Sequence, residues 1–375
     1  MKACLLSDNV DKFFEINSKF IYSFSKQYDG LDLINYGQQE FDKFHGFNVE
    51  NIRSLYGIFK YFSKGDLVCI IGMNDSPSEW FKYFILRVTN TRLIRITSIS
   101  TVCNATFNSS NFLLQIKQKI IFFLYILLLY LKVLPKIDLY LTSNFKEHWS
   151  NKYKYKQIEV INSIHCDEVI DNLGPITEEY IVFLDSNLPF HQDQSKYGYE
   201  KINPEDYYKQ LNFALDSMSE KFSKPVVVCL HPKFDVNLSN KYFPEKKTSR
   251  FNTFKYSKKA FLVVFHESSS INYSILLKKP IVQLYSNDFN KMITTGIDVY
   301  KEALGIKSLD MKSFLLSKDI CRDVLSIDYD KYEKFINENL CRYHSKKSSI
   351  EGLSVYNIVQ LNLKKRQQER SNGYY

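Results

Sequence analysis

Residues 224–235 read KPVVVCLHPKFD, and residues 261–286 read FLVVFHESSSINYSILLKKPIVQLYS. Each contains a short apolar run, 226–230 in the first and 261–265 in the second, that stops abruptly in polar residues. The first run stops at His231-Pro232, the second at Glu267 followed by Ser268, Ser269 and Ser270. Short runs rich in Val and Phe and bounded by such residues are predicted strands. If the two strands are parallel neighbours, both polar ends open onto one crevice, because open α/β sheets bind ligands beyond the carboxyl ends of their strands. The serines precede INYSILLKK, whose Ile271, Ile275 and Leu276 share a helical face, so they stand where N-caps and free N–H groups lie. Such a terminus favours an anion. His231, held at its strand end by Pro232, supplies a hydrogen-bond donor or a proton to that anion. The two ends together read as a phosphate clamp.

Outward from this stretch, the apolar runs at residues 4–6, 31–34, 67–71, 93–96 and 137–141 alternate with longer segments of helical patterning, which predicts a parallel sheet with crossover helices. The run GDLVCIIGMNDSP is the clearest of these strands, and it places Asp75 in a strand-end loop. Turn residues at 171–175, Asp-Asn-Leu-Gly-Pro, mark a boundary. The chain is therefore divided into residues 1–172, 173–345, and a C-terminal helix with a basic tail at 346–375. The strand in EEYIVFLDSNLPFHQDQ ends in a loop with Asp185 and His191, a carboxylate and an imidazole suited to taking a proton from an acceptor hydroxyl. Asp185 ranks first as base or acceptor-orienting group, His191 second, and Asp75 is the alternative. PEDYYKQLNFALDSMSEKF is a predicted helix with Pro204 and acids in its first turn and Tyr208, Leu211, Leu215 and Met218 on one face. After the predicted strand 281–285, Asn287 and Asp288 stand where a nucleotide's base or ribose would touch, as does Pro232 on the neighbouring loop. Beyond Gly296 the pattern reads as helical, and Asp328 and Asp330 as acids opening a helix rather than a metal pair.

At 375 residues the chain has room for two domains, each with its own core. A hydrophobic share of 45% and a charged share of 24% are those of a folded protein. The formal charge of +9 suits a phosphorylated donor or an anionic surface. Nucleic acid is not expected, since the lysines are scattered and neither an RNA-binding signature nor a zinc spacing is present. The 12 glycines form no Gly-X-Gly and no P-loop, which disfavours a kinase or a standard dinucleotide enzyme. No cofactor and no metal are expected. The seven cysteines read as reduced residues of a cytoplasmic protein. The N-terminus lacks the sustained apolar core of a secretory signal. Residues 120–131, IIFFLYILLLYL, are flanked by Lys117, Lys119, Lys132 and Lys136 and fall short of the roughly 20 residues that span a bilayer. A buried core helix is the first reading of this run, and peripheral contact with the inner membrane the second.

The His231-Pro232 and Ser268-Ser269-Ser270 pair resembles the HP and serine motifs of bacterial sialyltransferases and, more loosely, those of the Kdo transferases of capsule and lipopolysaccharide synthesis. The resemblance covers about the C-terminal half of the chain. It implies a GT-B-like α/β fold, with two Rossmann-like domains whose parallel sheets face across a cleft, the nucleotide sugar on the C-terminal domain and the acceptor on the N-terminal one. It implies that His231 contacts the donor phosphate and assists its departure, while Ser268 and Ser269 hold the phosphate oxygens. The implied activity is an inverting, metal-independent glycosyltransferase of bacterial surface polysaccharide (O-antigen, lipooligosaccharide or capsule), with CMP-sialic acid as the favoured nucleotide-sugar donor and a glycan as acceptor. DSN at 185–187 is not the acid-acid-glycine form of the sialyltransferase base motif, which leaves the base open. Two alternatives stand beside it. One is a CDP-linked phosphoalcohol or Kdo transferase of the same fold, and the other a catalytically silent nucleotide-binding or scaffold protein of glycan assembly.

Overall fold

The computed structural model describes residues 2–7, 31–36, 43–44, 47–64, 67–72, 76–97, 112–143, 154–172, 174–191, 194, 199–314 and 317–340. Asp75 lies outside the described residues. Among the described residues the chain forms two compact units, the first holding the N-terminal sheet and residues 116–164, the second His165–Leu340 together with residues 112–115.

In the first unit the apolar runs become β1 (Lys2–Ser7), β2 (Leu31–Asn35), β4 (Phe47–Asn51), β5 (Leu67–Ile71), β6 (Arg92–Thr97), β7 (Leu139–Thr142) and β8 (Ile158–Val160), with a two-residue β3 (Lys43–Phe44) at the edge. The order is β3-β4-β2-β1-β5-β6-β7-β8, parallel except where β3 meets β4. A parallel sheet needs both faces covered. One face is covered by α1 (Leu55–Phe62), α2 (Trp80–Val88) and α3 (Phe112–Tyr130), which drive Ile58, Phe62, Tyr83, Leu86, Tyr125 and Leu129 against Cys4, Leu6, Cys69 and Ile71. The Ser54 side chain caps α1 by accepting from the Gly57 N–H, and Trp80 stacks on Tyr125 at 6.1 Å, locking α2 to α3.

The reading of residues 120–131 as a buried core helix is not what the structure shows. Tyr125 and Leu129 are buried, but Phe123 is 67% exposed and Tyr130 82%. One stripe of the helix meets the sheet, and its apolar composition extends well beyond that stripe. No helix among the described residues is long and apolar enough to cross a membrane.

The second unit holds β9 (Tyr180–Leu184), β10 (Val226–Leu230), β11 (Lys247–Arg250), β12 (Ala260–Phe265), β13 (Ile281–Tyr285) and β14 (Lys307–Asp310), all parallel, in the order β11-β10-β9-β12-β13-β14. The strands grow outward from β9 first to one side and then to the other, so the order reverses between β9 and β12. That reversal opens a crevice at the carboxyl ends of these strands. β10 and β12 are therefore not neighbours, as the sequence reading supposed. They flank β9 on either side, roughly 10 Å apart by the usual strand spacing. Leu184 of β9 is level with Cys229 of β10 and with Phe265 of β12, so the three ends finish together.

Four helices of this unit are named below: α4 (Ile164–Asp171), α5 (Pro204–Phe222), α6 (Thr253–Lys258) and α7 (Ile271–Leu276). Pro204 occupies the first turn of α5, Asn203 caps it, and Tyr208, Leu211, Leu215 and Met218 are all buried on the sheet. Lys291–Leu304 forms α8, and Asp328 caps the helix Tyr329–Asn339 by accepting from the Lys331 N–H, the ordinary role read for an acid there. β14 was missed in the all-helical reading beyond Gly296. It is a short edge strand, KSLD, with too few apolar residues to show a strand pattern. Cys4, Cys69, Cys229 and Cys321 are free thiols, but Cys166 is disulfide-bonded, which corrects the expectation that all seven are reduced.

Phe183, fully buried at the centre of β9, packs against Phe243 and His266 at ring distances of 6.4 and 5.5 Å. Phe183→Ala is expected to cost the second unit about 3–5 kcal/mol, visible as a lowered urea midpoint.

Candidate active site

β9 extends its pairing by one residue, with the Asp185 N–H donating to the Cys229 carbonyl at 3.0 Å. The chain then turns through Asn187, which adopts a left-handed conformation at φ +52°, one that Asn tolerates better than most residues. This bend brings the Asn187 N–H onto Asp185 Oδ1 at 2.9 Å, while Oδ2 accepts from the His231 N–H at 3.2 Å. Asp185 is 3% exposed, and burial pushes its carboxyl up to about 6 even though the two amides pull it down. Both carboxylate oxygens thus hold backbone, where the sequence reading had placed a proton acceptor for an incoming hydroxyl.

The His231 carbonyl accepts from the Phe234 N–H at 2.9 Å, closing a turn with Pro232 at its second position, where proline's fixed φ fits. The Lys233 N–H donates to His231 Nδ1 at 3.1 Å, so the neutral ring carries its proton on Nε2. The rings of His191 and His231 lie 6.5 Å apart. Asp185, His191 and His231, chosen separately from the sequence, are one cluster. Pro232 is exposed, and its carbonyl accepts from Arg250 at 3.5 Å.

Across β9, β12 runs into His266 and Glu267. The Ser186 hydroxyl donates to the Glu267 carbonyl, a bond that ties the two sides of the strand-order reversal together. His266 is fully buried and held neutral, its Nδ1–H donating to the Leu284 carbonyl at 2.7 Å and its Nε2 accepting from the Tyr207 hydroxyl at 2.9 Å. The following serines begin α7 with tight turns: the amides of Ile271, Asn272 and Tyr273 donate to the carbonyls of Ser268, Ser269 and Ser270, each at 3.2 Å. Ser268 Oγ accepts from the Ser270 N–H at 3.4 Å. The Ser269 and Ser270 hydroxyls and the Ser268 and Ser269 amides donate to no group among the described residues. α7 has only six residues, so any affinity for an anion comes from these local donors rather than from a long helix dipole. α7 is itself anchored to α4. The Tyr273 hydroxyl donates to Glu168, and the His165 ring lies edge-on to Tyr273 at 4.6 Å.

One strand further along, Ser286, Asp288, Phe289, Tyr207, Gln210 and Lys312 are among the residues lining a cavity of about 370 Å³. Asp288 pairs with Lys312 at 2.8 Å, which with other hydrogen bonds holds its carboxyl below the usual range. Asn287 is exposed and does not line the cavity. Tyr207 belongs both to this wall and to the His266 hydrogen bond, so the cavity adjoins the end of β12. Among the described residues no group of His, Cys, Asp and Glu side chains is arranged to hold a metal ion.

No protein-family model matches the chain, and no curated protein matches it. Solved structures do. The wall teichoic acid polymerase TagF, in a form soaked with CDPG, is 11% identical with a TM-score of 0.53 over 98% of this chain and 89% of that one. A UDP co-structure of MnaA from S. aureus is 11% identical with a TM-score of 0.50 over 97% of each chain. The UDP-GlcNAc 2-epimerase from Methanocaldococcus jannaschii is 12% identical with a TM-score of 0.50 over 96% of this chain and 100% of that one. At this identity the likeness is one of fold. The chain has two parallel-sheet α/β units of GT-B-like architecture.

The residue the sequence reading passed over is Glu267. Its carboxyl makes no hydrogen bond among the described residues, and burial pushes it up to about 8. It lies against Gly296 in α8, where an added Cβ would overlap Glu267 Oε2. The signal was present as an acid directly before the serines, but its partial burial depends on α8, which packs there from further along the chain. The native state keeps a proton on Glu267 up to about pH 8, whereas the unfolded chain releases it near 4.5. Stability contributed by this proton is full below the lower value and is lost as pH rises through the higher one. Glu267→Gln should therefore melt increasingly above the parent protein as pH is raised from about 5 to about 8. Gly296→Ala, which usually favours a helix by up to about 1 kcal/mol, should destabilise the parent but not the Glu267→Ala variant. The double-mutant cycle measures that coupling.

Proposed function

We propose that the protein is a metal-independent, inverting transferase that takes its group from a cytidine-nucleotide donor and places it on a glycan acceptor in bacterial surface-polysaccharide synthesis, with CMP-sialic acid the favoured donor. The observation that carries this reading is the juxtaposition at the strand-order reversal. An imidazole fixed with its N–H on Nε2 stands on one side of β9, and on the other stand the Ser269 and Ser270 hydroxyls and the Ser268 and Ser269 amides, which donate to no group among the described residues. A phosphate over the end of β9 would meet donors from both sides. The adjoining cavity, with aromatic and polar walls, supports a nucleoside beside that phosphate.

In this reading the acceptor oxygen attacks the anomeric carbon, and its proton passes to a base. The bond from that carbon to the phosphate oxygen breaks with its electron pair on the phosphate. His231 gives a hydrogen bond from Nε2–H to that oxygen, and Ser268, Ser269 and Ser270 hold the others. Asp185 works through His231, because both its oxygens are engaged by backbone amides. His191, beside His231, is then the base. Glu267, protonated at neutral pH, adds no charge to repel the phosphate. Asp288 borders the nucleoside.

A second reading, transfer of a CDP-linked phosphoalcohol, is favoured by the fold likeness to TagF soaked with CDPG. The two are separated by incubating the protein with CMP-sialic acid and with CDP-glycerol, with and without chelator, and weighing the product on a short glycan acceptor. CMP release from the first donor, insensitive to chelator, is the expected result. A melting temperature raised by cytidine nucleotides without turnover would favour a silent binding protein, and no response to any nucleotide would remove the reading altogether.

His231→Ala removes a donor that matters most as charge collects on the leaving phosphate. Turnover is expected to fall roughly 100-fold or more with donor affinity and melting temperature nearly unchanged. The double change Ser268→Ala with Ser269→Ala should weaken donor affinity as well, since these hydroxyls meet the phosphate already in the ground state.

A further inference from the structure

We propose that the outer face of the helical layer formed by α1, α2 and α3 docks the protein on an anionic phospholipid surface. These three helices cover the same face of the first unit's sheet, where their inner residues share one core. α2 and α3 are joined by the Trp80–Tyr125 stack, and α1 packs directly beside α2. Their outward sides are therefore one surface. It carries Tyr56 from α1, Phe81 and Phe84 from α2, and Phe123, Leu124 and Tyr130 from α3, every one exposed. Large apolar side chains set singly on a surface are ordinary, but a layer of adjoining helices each showing several is a contact surface.

Charge selects the occupant. Residues 52–64, 76–91 and 112–136 include Lys60, Arg87, Lys117, Lys119, Lys132 and Lys136, all exposed. The acid in these segments is Glu79, which is buried and bonded to Lys82 and to the Tyr36 hydroxyl. A surface of aromatic and aliphatic side chains ringed by cations matches the boundary between lipid tails and anionic headgroups. A second copy of the chain is disfavoured as occupant, because two such faces would bring their cations together. The apolar core of α3 is too short to span a bilayer, so the helix lies in the interface plane with lysines at both ends.

The test uses the full chain and vesicles of phosphatidylcholine with or without phosphatidylglycerol, read by co-sedimentation. Binding is expected to the phosphatidylglycerol vesicles and to weaken as salt is raised. Phe81→Ser with Phe123→Ser should lower the partition coefficient at least about tenfold. Lys117→Glu with Lys119→Glu should do the same and abolish the preference for phosphatidylglycerol. All four positions are exposed, so melting temperatures should match the parent. Failure of the parent to sediment, or equal binding by parent and variants, overturns the proposal. So does a parent that is dimeric by analytical ultracentrifugation while the Phe81/Phe123 variant is monomeric, since the face would then join two copies. The salt dependence of the parent decides the matter even if a variant fails to fold.

Discussion

The carboxylate of Asp185 is the constraint on which the candidate site depends. It sits buried at the end of the central strand and accepts one backbone amide from its own loop and one from the loop after β10. A carboxylate taken out of water needs such partners, because desolvation penalises its charge by far more than a neutral group's. In meeting that need it fixes two loops at once. The His231 ring is then oriented by a further bond, from the Lys233 amide, which decides which nitrogen keeps the proton. The chemistry proposed for His231 thus rests on hydrogen bonds that satisfy a neighbouring carboxylate.

A second buried polar chain supports the opposite side of the crevice. His266, Gln283 and Ser308 run across β12, β13 and β14: Gln283 Nε2 donates to the His266 carbonyl at 2.7 Å, and the Ser308 hydroxyl donates to Gln283 Oε1 at 3.0 Å. His266 and Gln283 are fully buried with their hydrogen-bonding groups engaged, which is the condition under which buried polar residues rigidify rather than weaken a core. Glu267 is the exception beside them. Partly exposed, it packs on the bare backbone of Gly296 without a hydrogen-bond partner among the described residues and stays protonated into the neutral range.

The two units treat their helices differently. α5 of the second unit buries Leu211 and Leu215 and presents mainly polar residues outward, Lys209, Asp216 and Glu220 beside a single exposed Phe213. The helices of the first unit bury a stripe and leave aromatic and aliphatic residues on the other side. The contrast lies in composition, since α3 lacks acids altogether, and stability of the fold does not require it.

Much of this was legible in one dimension. Local hydrophobic runs located β5, β10, β13 and the helix Pro204–Phe222 to the residue, because a strand buried on both faces and an amphipathic helix each impose a short-range pattern. The same reading placed Asp185, His231 and the serines just beyond strand ends, where they stand, since polar residues directly after an apolar strand lie at its carboxyl end. What it did not contain was the order of the strands. The placement of β9 between β10 and β12, the burial of both Asp185 oxygens against backbone, the confinement of Glu267 by Gly296 and the outward exposure of α3 all depend on residues distant in sequence. Periodicity records which side chains prefer to leave water. Only the tertiary structure decides which neighbour receives them, because that choice is made by strand pairing and by the close approach of one backbone to another's side chain.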